Sequence, residues 1–514
     1  MKGTKRLSRA LLIPAGLALS GLLMSSGLVA AQDKTVTVVL TEELADFDLC
    51  NSMRSTNGRV LRANIGESLT RIDPKDGSVT PQLATSWERV NDRTWHFTLR
   101  KGVKFHDGAT FNADAVVKAI NRTYHSPKMF CENRSKSGLK VIEAKVVDEY
   151  TVAIALDKPA PILPVRMGIV SITSPKEPFD ALQVKAAIGT GPFKFESFST
   201  GTDIVLVRNE DYWGAKPDVK RARYVFRKES SVRAAMVAVG EADLAPNVAV
   251  QDANDPAMDF SYLNSETSRL RIEAKVPPLN DRRVRLALNY ALDRKALRGS
   301  VFSKDVLVST QLVVPSIAGH NRELDERVWP YDPKKAMALL AEAKKDGVPV
   351  DKEIQLICRI GQWPGAQESQ EAVMAYFQAA GFNIKLRCLE QAQHSDMNRK
   401  PYDPNRGPIL FQDQHDNNNG DAVFTVFTKY GCDGEQSTVC DPETDKLTAK
   451  ATAMPVGAER SKVWHEVFRR LYEVVVADVP YFHMVGYTRV GKRISYVPSI
   501  ATNTEVELAK ITFK

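Results

Sequence analysis

Histidine is scarce, eight in 514 residues, and none of the histidines or cysteines falls in a spacing that marks a metal site. There is no Cys-x-x-Cys, and His465-Glu466 lacks the second histidine of His-Glu-x-x-His. No Gly-x-Ser-x-Gly elbow occurs, and Gly189-Thr-Gly191, followed by Pro192, is not a Gly-x-x-x-x-Gly-Lys phosphate loop. These gaps argue against zinc modules, metalloproteases, serine hydrolases and phosphate-loop enzymes. The chain is therefore read as a non-enzyme with no cofactor and no resident metal. No heptad persists, and Gly 29 and Pro 27 are ordinary, which excludes coiled-coil and collagen-like chains. Beyond residue 31 no run approaches twenty apolar residues, so no membrane span is expected there.

A strong charge surplus is missing too. Lys+Arg 70 against Asp+Glu 62 gives +8, but residues 1–31 contribute Lys2, Lys5, Arg6 and Arg9 and no acid. Without them the balance is 66 against 62, a surplus of +4. That argues against nucleic acid as a partner.

What is present begins with those same residues. A basic start, an apolar run over 11–23 and the small residues Val29-Ala30-Ala31 read as a secretory signal cut after Ala31 or Ala30. The apolar run is too short to cross about 30 Å of hydrocarbon. No cysteine lies near the cut, which argues against a lipid anchor. The mature chain is expected to be exported.

With 43% hydrophobic residues the chain can build real cores, and its length suggests about two to four domains. Short β-rich runs alternate with helical stretches, the pattern of an α/β protein. Strands are expected over 34–40, 204–208, 223–226 and 480–487. A further strand carries Trp95, Phe97 and Leu99 in period-2 alternation. Helices are expected over 112–125, 231–240, 281–298, 333–344, 367–380 and 463–476. Asp293-Arg294-Lys295 reads as a solvated helix face. Pro277-Pro278 and Val479-Pro480 are candidate boundaries between lobes.

In an oxidising compartment six cysteines suggest disulfides, with fifteen possible connectivities. Cys432 and Cys440 enclose a short polar loop and can pair across it. Cys358 and Cys388 sit near the ends of two apolar segments around a helical stretch, where they can bridge neighbouring parallel strands. Cys50 and Cys131 remain by elimination, so connectivity beyond the first pair stays open.

Four motifs then occur in order: Leu83-Ala-Thr-Ser-Trp87 with Trp95-His-Phe-Thr-Leu-Arg-Lys-Gly-Val-Lys-Phe-His-Asp-Gly108; Ile188-Gly-Thr-Gly-Pro-Phe-Lys194 with Arg208-Asn-Glu-Asp-Tyr-Trp213; Pro277-Pro-Leu-Asn-Asp-Arg-Arg-Val-Arg285; and Tyr331-Asp-Pro333. The series resembles the solute-binding proteins of peptide/nickel-type ABC transporters, a group that includes dipeptide- and oligopeptide-binding proteins. The resemblance covers nearly the whole mature chain. It implies an α/β, two-lobed periplasmic binding protein of the large three-subdomain type II variety, with a ligand cleft between hinged lobes. Lobe 1 is expected over 32–276 with an inserted subdomain at about 75–185, lobe 2 over 277–480, and a return to lobe 1 over 481–514. The implied partners are a small-molecule or short-peptide ligand and the ABC permease subunits at the inner membrane, with the receptor itself a monomer.

The resemblance also suggests ligand residues. In dipeptide-binding relatives a loop reading roughly Trp-x-x-Asp-x-x-Asp-Pro pairs its first aspartate with the peptide's α-ammonium group. By that spacing Asp413 is the counterpart and Asp416 the second acid, with His415 between them. This chain has Leu410 and Asn417 where the Trp and Pro stand, which weakens a strict dipeptide reading. Opines, sugar conjugates and metal chelates are the rival ligands. A short disulfide-closed loop follows in those relatives and helps build the pocket wall, making Tyr430, Gly431 and Cys432 candidates and supporting the Cys432–Cys440 pair. Asn51 lies where relatives begin to line the cleft, and Trp363 follows an expected strand. Arg359 and Arg387 are candidates for meeting a ligand carboxylate.

Overall fold

The computed structural model describes residues 34–514, apart from 45, 53–54, 129–130, 181–185, 364 and 418–419. The segment 1–31, expected to be a signal, lies outside the described residues. The three largest apolar cores among the described residues organise the chain. One gathers Val36, Leu206 and Tyr224 with Val506 and Ile511, so the C-terminal segment packs with the N-terminal strand. A second is built on Leu288, Phe377 and Tyr481. A third, around Phe97, Val116 and Ile154, belongs to a subdomain with its own four-stranded sheet of Ala84–Asn91, Thr94–Leu99, Thr151–Leu156 and Val141–Asp148 in spatial order.

The first two cores share one eleven-stranded mixed sheet. At its centre the strands Asp259–Ile272 and Asp478–Val490 lie antiparallel and run from one lobe into the other. The stretch 266–272 pairs with Ile409–Asp416 in lobe 2. At the other end, Arg489 and Val490 pair with the short strand Leu244–Ala245, which leads to Thr35–Leu40 in lobe 1. The register between the two long strands breaks between Leu263 and Thr267. The extra residues bulge out of the ladder there, as expected where pairing switches from one lobe to the other.

Local chemistry explains most elements. The helix Ala113–His125 starts where Asn112 accepts from the Ala115 N–H at 3.0 Å, and Pro333–Lys345 where Asp332 accepts from Lys335. The expected helix over 281–298 is broken: Arg282–Ala291 ends, Leu292 is extended, and Asp293 caps a new turn, Arg294–Leu297. Arg294 is buried, donating to the Pro480 carbonyl at 2.6 Å and to Asn289, so it is not on a solvated face. The helix expected over 463–476 begins earlier, as Ala458–Arg469, and closes in a π-helical turn, Arg470–Val475. The acidic stretch read as a loop is a buried strand, Ile409–Asp416, leading into the helix Ala422–Tyr430.

The Gly189-Thr-Gly191 motif marks a close approach of backbones. A Cβ on Gly189 would stand 2.0 Å from the Ile65 carbonyl oxygen, and the Gly191 N–H donates to that oxygen at 2.9 Å. The three disulfides join Cys50–Cys131, Cys358–Cys388 and Cys432–Cys440. Cys358 and Cys388 stand opposite each other on adjacent parallel strands.

Candidate ligand-binding cleft

Where the two long strands cross, the lobes flank a half-open cleft of about 470 Å³. Lobe 1 contributes Arg59 and Arg233, on the helices Ser55–Leu61 and Ser230–Ala238. Lobe 2 contributes Phe302, Trp363, Gln414 and Asp416. The crossing strands supply the floor, with Asn264 and Glu266 in the bulge and Met484 to Tyr487 beside them.

Two carboxylates meet on that floor. Glu266 and Asp416 face each other in the strand register. Glu266 accepts from Gln414 Nε2 and from Asn264 Nδ2, and Asp416 accepts from Ser265 Oγ. Burial, and then the neighbouring Asp416 charge, push the Glu266 carboxyl up to about 7, against the pull of its hydrogen bonds and of Arg59. Burial also lowers the Arg59 guanidinium, which donates to the carbonyls of Thr502 and Asn503. The wall opposite is aromatic, with the Phe302 and Trp363 rings 5.9 Å apart. Trp363 Nε1 and Gln362 Oε1 are buried with no hydrogen-bond partner among the described residues. The site thus combines an acidic floor with an aromatic wall.

The expected site residues fall on both sides of this geometry. Asp416 and Trp363 line the cavity; Asp413, His415, Tyr430, Gly431, Cys432 and Asn51 do not. On a strand, successive side chains point to opposite faces, so Gln414 and Asp416 face the cleft while Asp413 and His415 face the interior of lobe 2. There Asp413 is saturated: Lys429 Nζ lies 2.8 and 2.9 Å from its two oxygens, and Arg269 donates to Oδ2 at 2.7 and 3.0 Å. Arg269 also grips Asp478 at 2.7 Å, and the Tyr430 hydroxyl donates to Asp478 at 2.5 Å. Burial raises the Asp413 carboxyl, but Lys429, Arg269 and Arg271 outweigh it and hold the group well below the usual carboxylate range. The cations that Asp413 meets belong to the chain itself.

The other candidates have local work. His415 Nε2 lies 2.8 Å from Thr425 Oγ1. Gly431 ends the helix Ala422–Tyr430, with its N–H on the Val426 carbonyl, and the carbonyl of Cys432 accepts from Lys400. The disulfide loop therefore stands away from the cavity wall. Asn51 donates to Asp46 and accepts from the Glu132 N–H beside the Cys50–Cys131 bridge. Arg359 and Arg387 are not in the cavity lining either. Glu266, Gln414 and Arg59 were not singled out from sequence. Glu266 inside the polar run Asn264-Ser-Glu-Thr-Ser268 gives a weak signal, because its partner Asp416 is identified only by strand pairing.

A cleft between two lobes that share two continuous strands is the form of a solute receptor. The comparisons with known proteins agree. The family model of bacterial extracellular solute-binding proteins, family 5, matches residues 78–433. The chain belongs to that family, and it is a solute-capturing component of an ABC importer. It is 27% identical to Heme-binding protein A of Haemophilus influenzae over 477 residues, 83% of this chain and 84% of that protein. It is 29% identical to the dipeptide-binding protein of Escherichia coli over 385 residues, 68% of this chain and 70% of that one. The solved structure of HbpA2 from Haemophilus parasuis superposes with a TM-score of 0.80 at 21% identity, covering 93% of this chain and all of that chain, a likeness of fold.

Proposed function

We propose that the cleft captures a small solute bearing a cationic group, a short peptide or peptide-like amine, and delivers it to a membrane permease from the periplasm. The observation that carries this reading is the pair Glu266 and Asp416 at the floor of the cavity. Two neighbouring carboxylates repel each other in low dielectric, and an ammonium group placed between them relieves that repulsion. The aromatic wall of Phe302 and Trp363 suits an apolar side chain. The likeness to the E. coli dipeptide-binding protein supports the peptide reading. Binding without turnover is the role proposed, by a monomer released from its signal segment after Ala31 or Ala30.

The test is mass spectrometry of the solute that co-purifies with the protein, followed by calorimetry with that solute and with a panel of short peptides. Asp416→Asn and Glu266→Gln are each expected to weaken binding of an amine-bearing ligand by about 30-fold or more, the loss typical of truncating one member of a buried charge pair. Affinity unchanged in both variants removes the pair from the site and overturns the reading.

A further inference from the structure

A second constellation lies behind the crossing strands, away from the cleft. His320, Asp325 and His483 are brought together so that one ring nitrogen of each histidine and one oxygen of Asp325 all lie within 4.8 Å of one another. None of the three lines the cavity, although Met484, next to His483, does. We propose that this trio binds a divalent first-row transition cation of borderline softness, with zinc as its representative.

One ring nitrogen of the trio is left without a hydrogen-bond partner, and the other polar atoms are held by groups that orient them. His320 Nδ1 lies 2.9 Å from the Val313 carbonyl oxygen, which can only accept, so that nitrogen carries the ring hydrogen. The other nitrogen, Nε2, lies 2.7 Å from Asp325 Oδ2, an ion pair whenever the ring is protonated. A metal cation binding there takes the place of the shared proton and is held by both atoms. His483 uses Nδ1 on Thr267 Oγ1 at 2.8 Å. Its Nε2 has no hydrogen-bond partner among the described residues, and the residue is 1% exposed. That buried nitrogen is the third ligand.

The surroundings resemble the outer shell of a metal site, where partners orient ligands and fix tautomers. Val313 sets the His320 tautomer, and Thr267 orients His483. Asp325 Oδ1 accepts from Thr310 Oγ1 at 3.3 Å and from Gln311 Nε2 at 3.2 Å, leaving Oδ2 to the cluster. Two imidazoles and one carboxylate favour zinc, nickel or cobalt over calcium or magnesium, which prefer all-oxygen shells. The Asp325 side chain is 31% exposed, so that side gives a path of entry and room for a water ligand. A bound ion ties the crossing strand Asp478–Val490 to the segment carrying Leu307–Val308, which already pairs with it.

The experiment uses the full mature chain without an affinity tag, stripped with chelator and titrated with zinc by calorimetry, with metal content measured after dialysis. One zinc per chain is expected, and cobalt in its place is expected to give visible ligand-field bands of a low-symmetry nitrogen-and-oxygen site. His483→Ala and Asp325→Asn should each weaken zinc binding more than about 100-fold, beyond the 10–100-fold typical of losing an outer-shell partner. His96→Ala, at a histidine far from the trio, should change nothing. The wild-type cobalt spectrum is informative even if a variant fails to fold. Absence of stoichiometric zinc from the wild-type titration overturns the proposal. So does zinc binding that survives both substitutions, or a nuclear magnetic resonance spectrum in which both His320 nitrogens stay protonated with zinc present.

Discussion

Asp413 and Asp416 stand three residues apart on one strand and face opposite environments. Removing the Asp413 charge leaves Lys429 and Arg269 buried with less compensation, a loss that typically costs about 3–5 kcal/mol. Asp413→Asn is therefore expected to lower the melting temperature markedly while the folded fraction still binds ligand normally; Asp416→Asn is expected to do the reverse. Melting curves and calorimetry on the two variants check this, and a stable Asp413→Asn protein with lost binding would refute it. Glu266 adds a pH signature. Its folded pKa is raised, from about 4.5 to about 7, so the fold favours the neutral acid. Its stabilising contribution is complete below pH 4.5 and is lost as pH rises through 7. A cationic ligand favours the ionised form, so the ligand-induced thermal shift should grow over that window in the wild type and flatten in Glu266→Gln.

At the scale of elements, the disulfides act through the loops they close. Cys50–Cys131 spans 81 residues and Cys432–Cys440 spans 8. On the chain-entropy relation these are worth about 4.5 and about 2.5 kcal/mol. Replacing each pair by serine should lower the melting temperature in that order, and thermal unfolding of the two double variants checks it; the reverse order would show that native-state packing governs. Elements were legible in sequence where their signals are local. Asn112 and Asp332 are side-chain caps, and the alternation at Phe97 and Leu99 reports a half-buried strand. The break at Leu292 was not, because helical periodicity continues through it and only the Asp293 cap interrupts it. The strand Ile409–Asp416 was hidden for a different reason: its polar residues Gln412, Asp413 and His415 are buried and paired with groups distant in sequence.

At the scale of the whole molecule, two strands carry the chain between lobes, and their ladder is interrupted where they cross. Closure is expected to bend there, with a ligand stabilising the closed form through contacts to both lobes. Small-angle scattering should show a smaller radius of gyration when the co-purifying ligand is restored to stripped protein, and the Asp416→Asn variant should show no change at the same concentration. A radius unaffected by saturating ligand would exclude hinge closure. A ligand at 100 times its dissociation constant should also raise stability by about 2.7 kcal/mol, read as a thermal shift.

The amino-acid sequence by itself determined the class: an α/β chain with cysteines suited to disulfides and four ordered motifs, all properties of local composition, spacing and periodicity. Which acid faces the solute was decided only by the tertiary structure. The reason is that a strand alternates its faces at every residue, and the face that becomes a cleft is set by the strand it pairs with. Asp416 meets Glu266 across that pairing, whereas Asp413 meets Arg269 and Lys429, and nothing in the linear order of residues distinguishes the two. The grouping of His320, Asp325 and His483 likewise exists only because the crossing strand returns late in the chain to lie beside the segment around 307–325.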